Sequence, residues 1–599
     1  MTTHKTWKIL PRAPENFYKK FPEYSKTVLN LIYHRVGKNP KAIAEFFNPD
    51  FDNDIHDPFL FRGMEKAVER ILKAVEGKEK IAIFGDYDVD GITSATVLNT
   101  VLKNLGARPI VYIPDRSREG YSLNLTAIKY LRSKKVKLII TVDCGIRDVS
   151  KIKKAVEWGI DTVLTDHHMP AVSLTSDTAG NILPPAYAII NPKAKKETYP
   201  FTELAGVGVA FKLASALIKA CLNHIGSRSA LKKKFKDGSE KWLLDLVALG
   251  TVADMVPLIG ENRTLVKYGL LVLSKTRRIG IKSVFSSARL ELSSKNPPNT
   301  GQISFQIAPR LNAAGRMDHA NTSFELLNTD DPKKASELAK ELETKNGRRQ
   351  RLTEKIVKAI EKRIDLKQKI VFEGDPEWPV GILGLAAGKI CEKYARPAFV
   401  FKEDKKEIRG SIRSISKFKV VPALEQCKDL LLKYGGHDFA GGFVFLPKNK
   451  KRLEKRLRQI ANKLLREEDL AWETKIDQRI ELSEVNWELY EEIKRLEPFG
   501  VGNSTPLFLA EKVELFQCQL VGNGNKHLKM WFKSEDTVFE AIGFGKGDKY
   551  CMLLPPPYEG GEKKGRLPFL DIVFEIGSDE WNGNKKLQLI VRDLRLSPK

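Results

Sequence analysis

The sequence predicts an α/β protein in three parts: a doubly wound domain on a parallel sheet, a second, smaller α/β lobe joined to it by a long helix, and a C-terminal β-barrel of the OB type. Three observations predict this. Short apolar runs such as Ile81-Ala82-Ile83-Phe84, Leu138-Ile139-Ile140-Thr141 and Thr162-Val163-Leu164 alternate with helical patterns, as buried parallel strands do. Residues 332–366 carry Leu338, Leu342, Leu352, Ile356 and Ile360 at helical spacing, with no proline after Pro332. From about residue 500 the pattern changes to short alternating strands separated by Gly-rich turns.

In chain order, residues 1–75 read as a helical, polar N-terminal segment broken at Asn39-Pro40 and Asn48-Pro49. Residues 76–330 form the doubly wound domain, with further strands at Pro109–Ile113 and Ala186–Ile190 and mainly helix over 203–290. Residues 331–366 are the connecting helix. Residues 367–465 form the second lobe, with strands at Lys369–Phe372, Ala398–Phe401 and Gly442–Phe445 and a basic run from Lys448 to Arg458. Residues 466–599 hold the barrel, with strands around Val513–Phe516, His527–Phe532, Phe539–Ile542, Asp571–Phe574 and Leu587–Val591.

Over 599 residues, 101 Lys plus Arg face 75 Asp plus Glu, a formal charge of +26. That excess suits a polyanionic partner bound with counterion release. The six cysteines are scattered with no C-x-x-C pair, which excludes a zinc knuckle and implies no disulfide framework. No apolar signal region follows Met1, and the longest apolar stretch, Pro379–Gly388, stops at Lys389, far short of the ~18 residues of a membrane span. The expectation is a soluble, cytoplasmic protein with no membrane partner.

Four short stretches carry the chemistry: Gly85-Asp86-Tyr87-Asp88-Val89-Asp90-Gly91, Val142-Asp143-Cys144-Gly145, Thr165-Asp166-His167-His168 and Val252-Ala253-Asp254. The first three follow strands directly, and ligands in open α/β sheets gather beyond the carboxyl ends of the strands. Carboxylates and imidazoles delivered there by separate strands can share two divalent ions, a device for in-line attack on phosphorus. An EF-hand is excluded: its twelfth position, which needs Glu, is Val97, and a strand precedes the loop instead of a helix. Oxygen ligands with an imidazole and no thiolate favour Mn²⁺ or Mg²⁺.

These four motifs resemble those of the DHH phosphoesterase superfamily, and the chain resembles its single-strand exonuclease branch. Further stretches that carry the likeness are Pro309–Met317, Gly410–Ser414, Gly435–Gly442 and Pro498–Asn503. The resemblance implies Asp88, Asp90, Asp143, His167 and Asp254 as metal ligands, with Asp143 bridging two ions. It implies Asp86 and Asp166 as supports and His168 as the residue facing the scissile phosphate. Arg116, Arg310, Asn312, Arg316, Ser411 and Arg413 match substrate-binding positions, and His437 lies in the glycine-rich motif of the second lobe. Two positions depart from the pattern: Phe84 stands where many relatives have His, and Trp378-Pro379 where many have Trp-His.

The implied activity is 5′→3′ hydrolysis of single-stranded DNA to 5′-mononucleotides in recombination and repair. Single-stranded DNA would be the partner of a monomer, alongside a single-strand-binding protein and a helicase. A phosphodiesterase or pyrophosphatase acting on small nucleotides would use the same metal core, but the barrel, the basic excess and the chain length argue against it. A non-catalytic single-strand-binding protein would have no need of the full ligand set.

Overall fold

The computed structural model describes residues 6–116, 118–173, 180–223, 235–534, 537–547, 569–581 and 584–598. The chain divides into two compact units, Asp50–Trp472, and Lys5–Pro49 together with Glu473–Lys599.

The first unit opens on the doubly wound domain. Its five strands run in the order Ile110–Tyr112, Lys80–Gly85, Val136–Val142, Asp161–Thr165, Ala188–Ile190, all parallel. The second strand of the domain, Ile110–Tyr112, therefore lies outside the first, and the order reverses between Lys80–Gly85 and Val136–Val142. A crevice opens at such a switch point. Helices cover both faces, which is why these strands are apolar throughout: Ile81, Ala82, Ile83 and Phe84 are each at most 2% exposed. Among the described residues the helices Gly206–Asn223, Leu244–Asp254, Gly260–Ser274 and Ile279–Ser287 follow, and a helical run ends in Ala308–Met317.

The connecting helix is Pro332–Glu361, 30 residues long, begun by the Asp331 side chain accepting from the Lys333 N–H and by proline in the first turn. One stripe of it serves two cores. Ala335, Ala339 and Leu342 pack into the first domain, and Ile356 and Ile360 into the second lobe. The lobe's sheet runs Leu431–His437, Ala440–Phe445, Ile408–Arg413, Ala398–Lys402, Val371–Asp375; its last pair is parallel and the others antiparallel.

In the second unit, Phe508–Val521, His527–Ser534, Thr537–Gly543, Asn584–Leu596 and Phe569–Trp581 form a ring that closes by pairing of the last strand with the first. Residues of the N-terminal segment share its core: Phe17, Leu31, Ile32 and Phe46 cluster with Leu489, Leu496, Phe508 and Leu570. Thr6–Ile9 also pairs in parallel with Glu473–Ile476, and Arg35 pairs with Asp477 at 2.8 Å with both side chains nearly buried.

Candidate active site

The Lys80–Gly85 strand delivers Asp86 and Asp88 beyond its carboxyl end. Asp88 caps the helix Val89–Asn104, its Oδ1 accepting from the Gly91 N–H at 3.1 Å. Gly91 is required there: a Cβ would meet the Asp86 carbonyl oxygen at 2.5 Å. The cap places Asp90, itself buried, on the first turn, where its two oxygens accept the N–H groups of Gly206 and Val207, both at 2.7 Å. The start of the Gly206–Asn223 helix thus fixes Asp90.

Asp143 follows the next strand with φ of +58°, in the left-handed region that Asp tolerates better than most residues. Asp166 follows the third. Its Oδ1 accepts the N–H groups of His167 and His168 at 2.7 and 3.1 Å and lies 2.8 Å from His168 Nδ1; its Oδ2 accepts from the Ile146 N–H at 2.9 Å. Asp254 ends the Leu244–Asp254 helix.

These residues converge. His167 Nε2 lies 3.2 Å from Asp143 Oδ1, 3.6 Å from Asp254 Oδ2 and 3.9 Å from Asp90 Oδ2. Three groups have ligand atoms close enough to share an ion: Asp90, His167 and Asp254; Asp86, Asp88 and Asp143; and Asp143, His167 and His168. Asp143 belongs to two of them. Asp86 stands among the potential ligands as well as beside them.

The electrostatics fit cations. Burial, then the neighbouring Asp90 and Asp88 carboxylates, push Asp143 and Asp254 well above the usual carboxylate range; burial, then Asp88, push Asp86 well above it and Asp90 up to about 7. Burial brings the His167 imidazole down to about 3, so it stays neutral and able to ligate. The Asp86 Oδ1, Asp143 Oδ1 and His167 Nε2 atoms are buried with no hydrogen-bond partner. Buried polar atoms left unpaired are costly, and divalent ions would satisfy them. The one nearby thiol, Cys144, faces the core, where burial keeps it protonated. The donor set is therefore hard, suited to Mn²⁺ or Mg²⁺.

His168 differs from His167. Burial opposes its charge, but the Asp166 carboxylate outweighs this and raises its pKa, with Asp88 and Asp90 adding. Burial would likewise raise Asp166, yet His168 and His167 hold it below the usual range.

Beside the carboxylates lies a group of arginines. Arg316 is half-buried, and desolvation, then Arg116, Arg349 and Arg413 nearby, bring its guanidinium down to about 9. Arg413 is lowered by burial and then by Arg116. Among the described residues, no carboxylate pairs with Arg116, Arg316 or Arg413. Arg116 stacks over the Tyr87 ring at 4.8 Å. Helix Val380–Tyr394 faces this group, since a Cβ on Gly384 would lie 3.4 Å from an Arg413 amino group and 3.6 Å from Ser411 Oγ.

Other expected residues are placed differently. Arg310 pairs with Glu343 at 2.5 Å. Asn312 Oδ1 accepts from the Val89 N–H at 3.2 Å, buttressing the first motif. His437 is exposed on the hairpin Leu431–Phe445, within electrostatic reach of Arg413 and His168. Phe84 is buried and stacked on Tyr112 with ring centres 5.4 Å apart, so core packing takes that position. Trp378 packs into the second lobe's core, and Pro379 caps the next helix.

Three residues of the site escape the motif reading. Tyr121 places its hydroxyl 3.1 Å from His168 Nδ1 and donates to the Asp143 carbonyl at 3.3 Å. Asn191 donates from Nδ2 to the His168 carbonyl at 3.0 Å. Arg349 reaches Arg316 from the connecting helix. Of these only Asn191 carries a signal, because it follows the Ala188–Ile190 strand as the other site residues follow theirs.

A parallel sheet delivering Asp and His ligands to one centre, beside arginines drawn from the same domain and, in Arg413, from the second lobe, defines a phosphoesterase of the DHH type. The family models agree: "DHH family, N-terminal domain" matches residues 80–251, "DHHA1 domain" 366–463 and "RecJ OB domain" 476–593. The chain is 37% identical over 575 residues to the single-stranded-DNA-specific exonuclease RecJ of Bacillus subtilis, covering 95% of this chain and 68% of that one. It is 32% identical to the RecJ of Haemophilus influenzae, covering 89% and 91%. The crystal structure of RecJ with Mn²⁺ from Thermus thermophilus superimposes with a TM-score of 0.79 at 26% identity, over 99% of this chain and 80% of that one. The chain belongs to the RecJ family of single-stranded-DNA-specific exonucleases.

Proposed function

We propose that the protein hydrolyses single-stranded DNA from the 5′ end, releasing 5′-mononucleotides, with Mn²⁺ or Mg²⁺ as cofactor. Asp88, Asp90, Asp143, His167 and Asp254 would hold two ions, with Asp143 between them and Asp86 at hand on one side. When bound, divalent ions supply the charge that activates water and offsets negative charge on the reacting phosphate. Arg316, Arg413 and Arg116 clamp phosphate oxygens, and Ser411 adds a hydroxyl. With Nδ1 of His168 engaged by Asp166, its Nε2 is the nitrogen left to donate to a phosphate oxygen.

The observation that carries this reading is the unpaired arginine group beside the carboxylate centre. A half-buried guanidinium brought down to about 9 by desolvation and then by neighbouring cations is a site prepared for anions. A 5′ phosphate held by Arg413 and Ser411 would set the next phosphodiester over the carboxylates and so fix polarity. The physiological setting we infer is recombination and repair in the cytoplasm, by a monomer acting with a single-strand-binding protein and a helicase. No described helix is long and apolar enough to cross a membrane.

A time course on 5′- and 3′-labelled single strands, with Mn²⁺, Mg²⁺ or EDTA, tests it. Mononucleotide release from the 5′ label first, lost in EDTA, is expected. Release from the 3′ label first would overturn the polarity, and activity on dinucleotides alone would point to a small-nucleotide phosphodiesterase.

A further inference from the structure

The connecting helix has a second face that the site does not use. Arg351, Lys355, Lys358 and Lys362 stand on it at steps of four, three and four residues, all exposed, with Arg348 a turn earlier. At 100° per residue this stripe lies opposite Asn346, Thr353, Ile356 and Ile360, which are buried. The four cations line a surface concavity of about 620 Å³ with Glu354, Ala359 and Arg363.

None of the four forms an ion pair among the described residues. That contrasts with neighbouring cations: Arg363 pairs with Asp375 at 3.1 Å and Lys393 with Glu361 at 2.5 Å. Like charges three and four residues apart oppose helix formation, so the stripe weakens the helix that joins the two lobes unless an anion lies along it.

We propose that this stripe is a second DNA-binding surface, holding the phosphate backbone of the substrate beyond the segment being cut. From Arg351 to Lys362 it spans about 16 Å at 1.5 Å per residue, the axial rise of roughly five base pairs of duplex. No aromatic side chain stands in the stripe, so it offers no platform for stacked bases. It reads backbone charge alone, and the duplex arm beside a single-stranded tail is the occupant it fits best. The inference rests on the DNA-degrading reading above.

The test is the full chain carrying Lys355→Gln, Lys358→Gln and Lys362→Gln, beside a control carrying Lys129→Gln, Lys134→Gln and Lys137→Gln, which removes equal charge elsewhere. Binding of a 5′-tailed duplex and of a long single strand is measured across a salt titration, together with cleavage of a short oligonucleotide. The stripe variant is expected to bind the tailed duplex about tenfold more weakly, with a log–log salt slope shallower by about 2–3. The control should match wild type, and both should cleave the short oligonucleotide at the wild-type rate. An unchanged slope, or an equal loss in the control, overturns the second surface. Loss on the single strand only would replace the duplex arm by unpaired DNA and overturn that part. Failure of wild type itself to cut the short oligonucleotide would instead count against the functional reading.

Discussion

Gly206 lies so close to Asp143 that a Cβ on it would sit 2.7 Å from the aspartate's Cβ and 2.8 Å from its Oδ1. The same residue donates its N–H to Asp90 Oδ2. One glycine at a helix start therefore sets the spacing of two carboxylates that arrive on different strands. We expect Gly206→Ala to push Asp143 away and loosen Asp90, lowering Mn²⁺ affinity and cleavage by roughly 10- to 100-fold, the usual cost of disturbing residues that orient metal ligands. Calorimetric titration with Mn²⁺ checks this; wild-type affinity in a folded Gly206→Ala variant would show that the approach is incidental.

Asp143 is the junction of the site, shared by two groups of ligands. Its left-handed backbone makes Asn the replacement of choice, because Asn also tolerates that region. Asp143→Asn should abolish cleavage while leaving DNA binding measurable, since the arginines and the barrel are untouched. A purified variant that still degrades single strands at near wild-type rate would sink the two-ion assignment. Stripping wild type with EDTA should give the same phenotype, reversed by Mn²⁺.

How much of this was legible depends on how local each signal is. A strand followed at once by Asp is a local pattern, and Asp86, Asp143 and Asp166 all announce themselves that way. Asn191 has the same position after its strand, but an Asn there reads as an ordinary turn residue. Tyr121 and Arg349 reach the site through tertiary packing, from a loop and from a helix whose polarity suggests only a connector. Sharing of a core between the N-terminal segment and the barrel was not visible either. Its contacts, such as Thr6–Ile9 with Glu473–Ile476, join residues too distant in the chain to leave a periodicity.

Polarity should depend on Arg413. It is without a carboxylate partner among the described residues, and Gly384 and Ser411 flank it. Arg413→Ala removes a charge-assisted contact typically worth about 1.5–3 kcal/mol, so kcat/KM on 5′-phosphorylated strands should fall roughly 10- to 100-fold. The loss on 5′-hydroxyl strands should be smaller. Equal losses on the two substrates, compared side by side, would remove the phosphate-pocket assignment.

The barrel separates grip from stability on a single strand. Along His527–Ser534 the side chains alternate: Leu528, Met530 and Phe532 are buried, while Trp531 turns outward with Lys529 Nζ 5.1 Å from its ring centre. Lys529 also pairs with Glu540 at 3.3 Å, which holds the cation against the ring. A half-exposed indole beside a lysine suits a stacked base and its phosphate, and such stacking is worth about 1–3 kcal/mol per base. Trp531→Ala should therefore weaken binding of long single strands by roughly 5- to 100-fold with the melting temperature nearly unchanged. Phe532→Ala, one residue on, empties a core position and should cost about 3–5 kcal/mol of stability. Anisotropy binding and thermal melts on the two variants decide it: equal affinity in Trp531→Ala and wild type would show that this face of the barrel does not hold the strand.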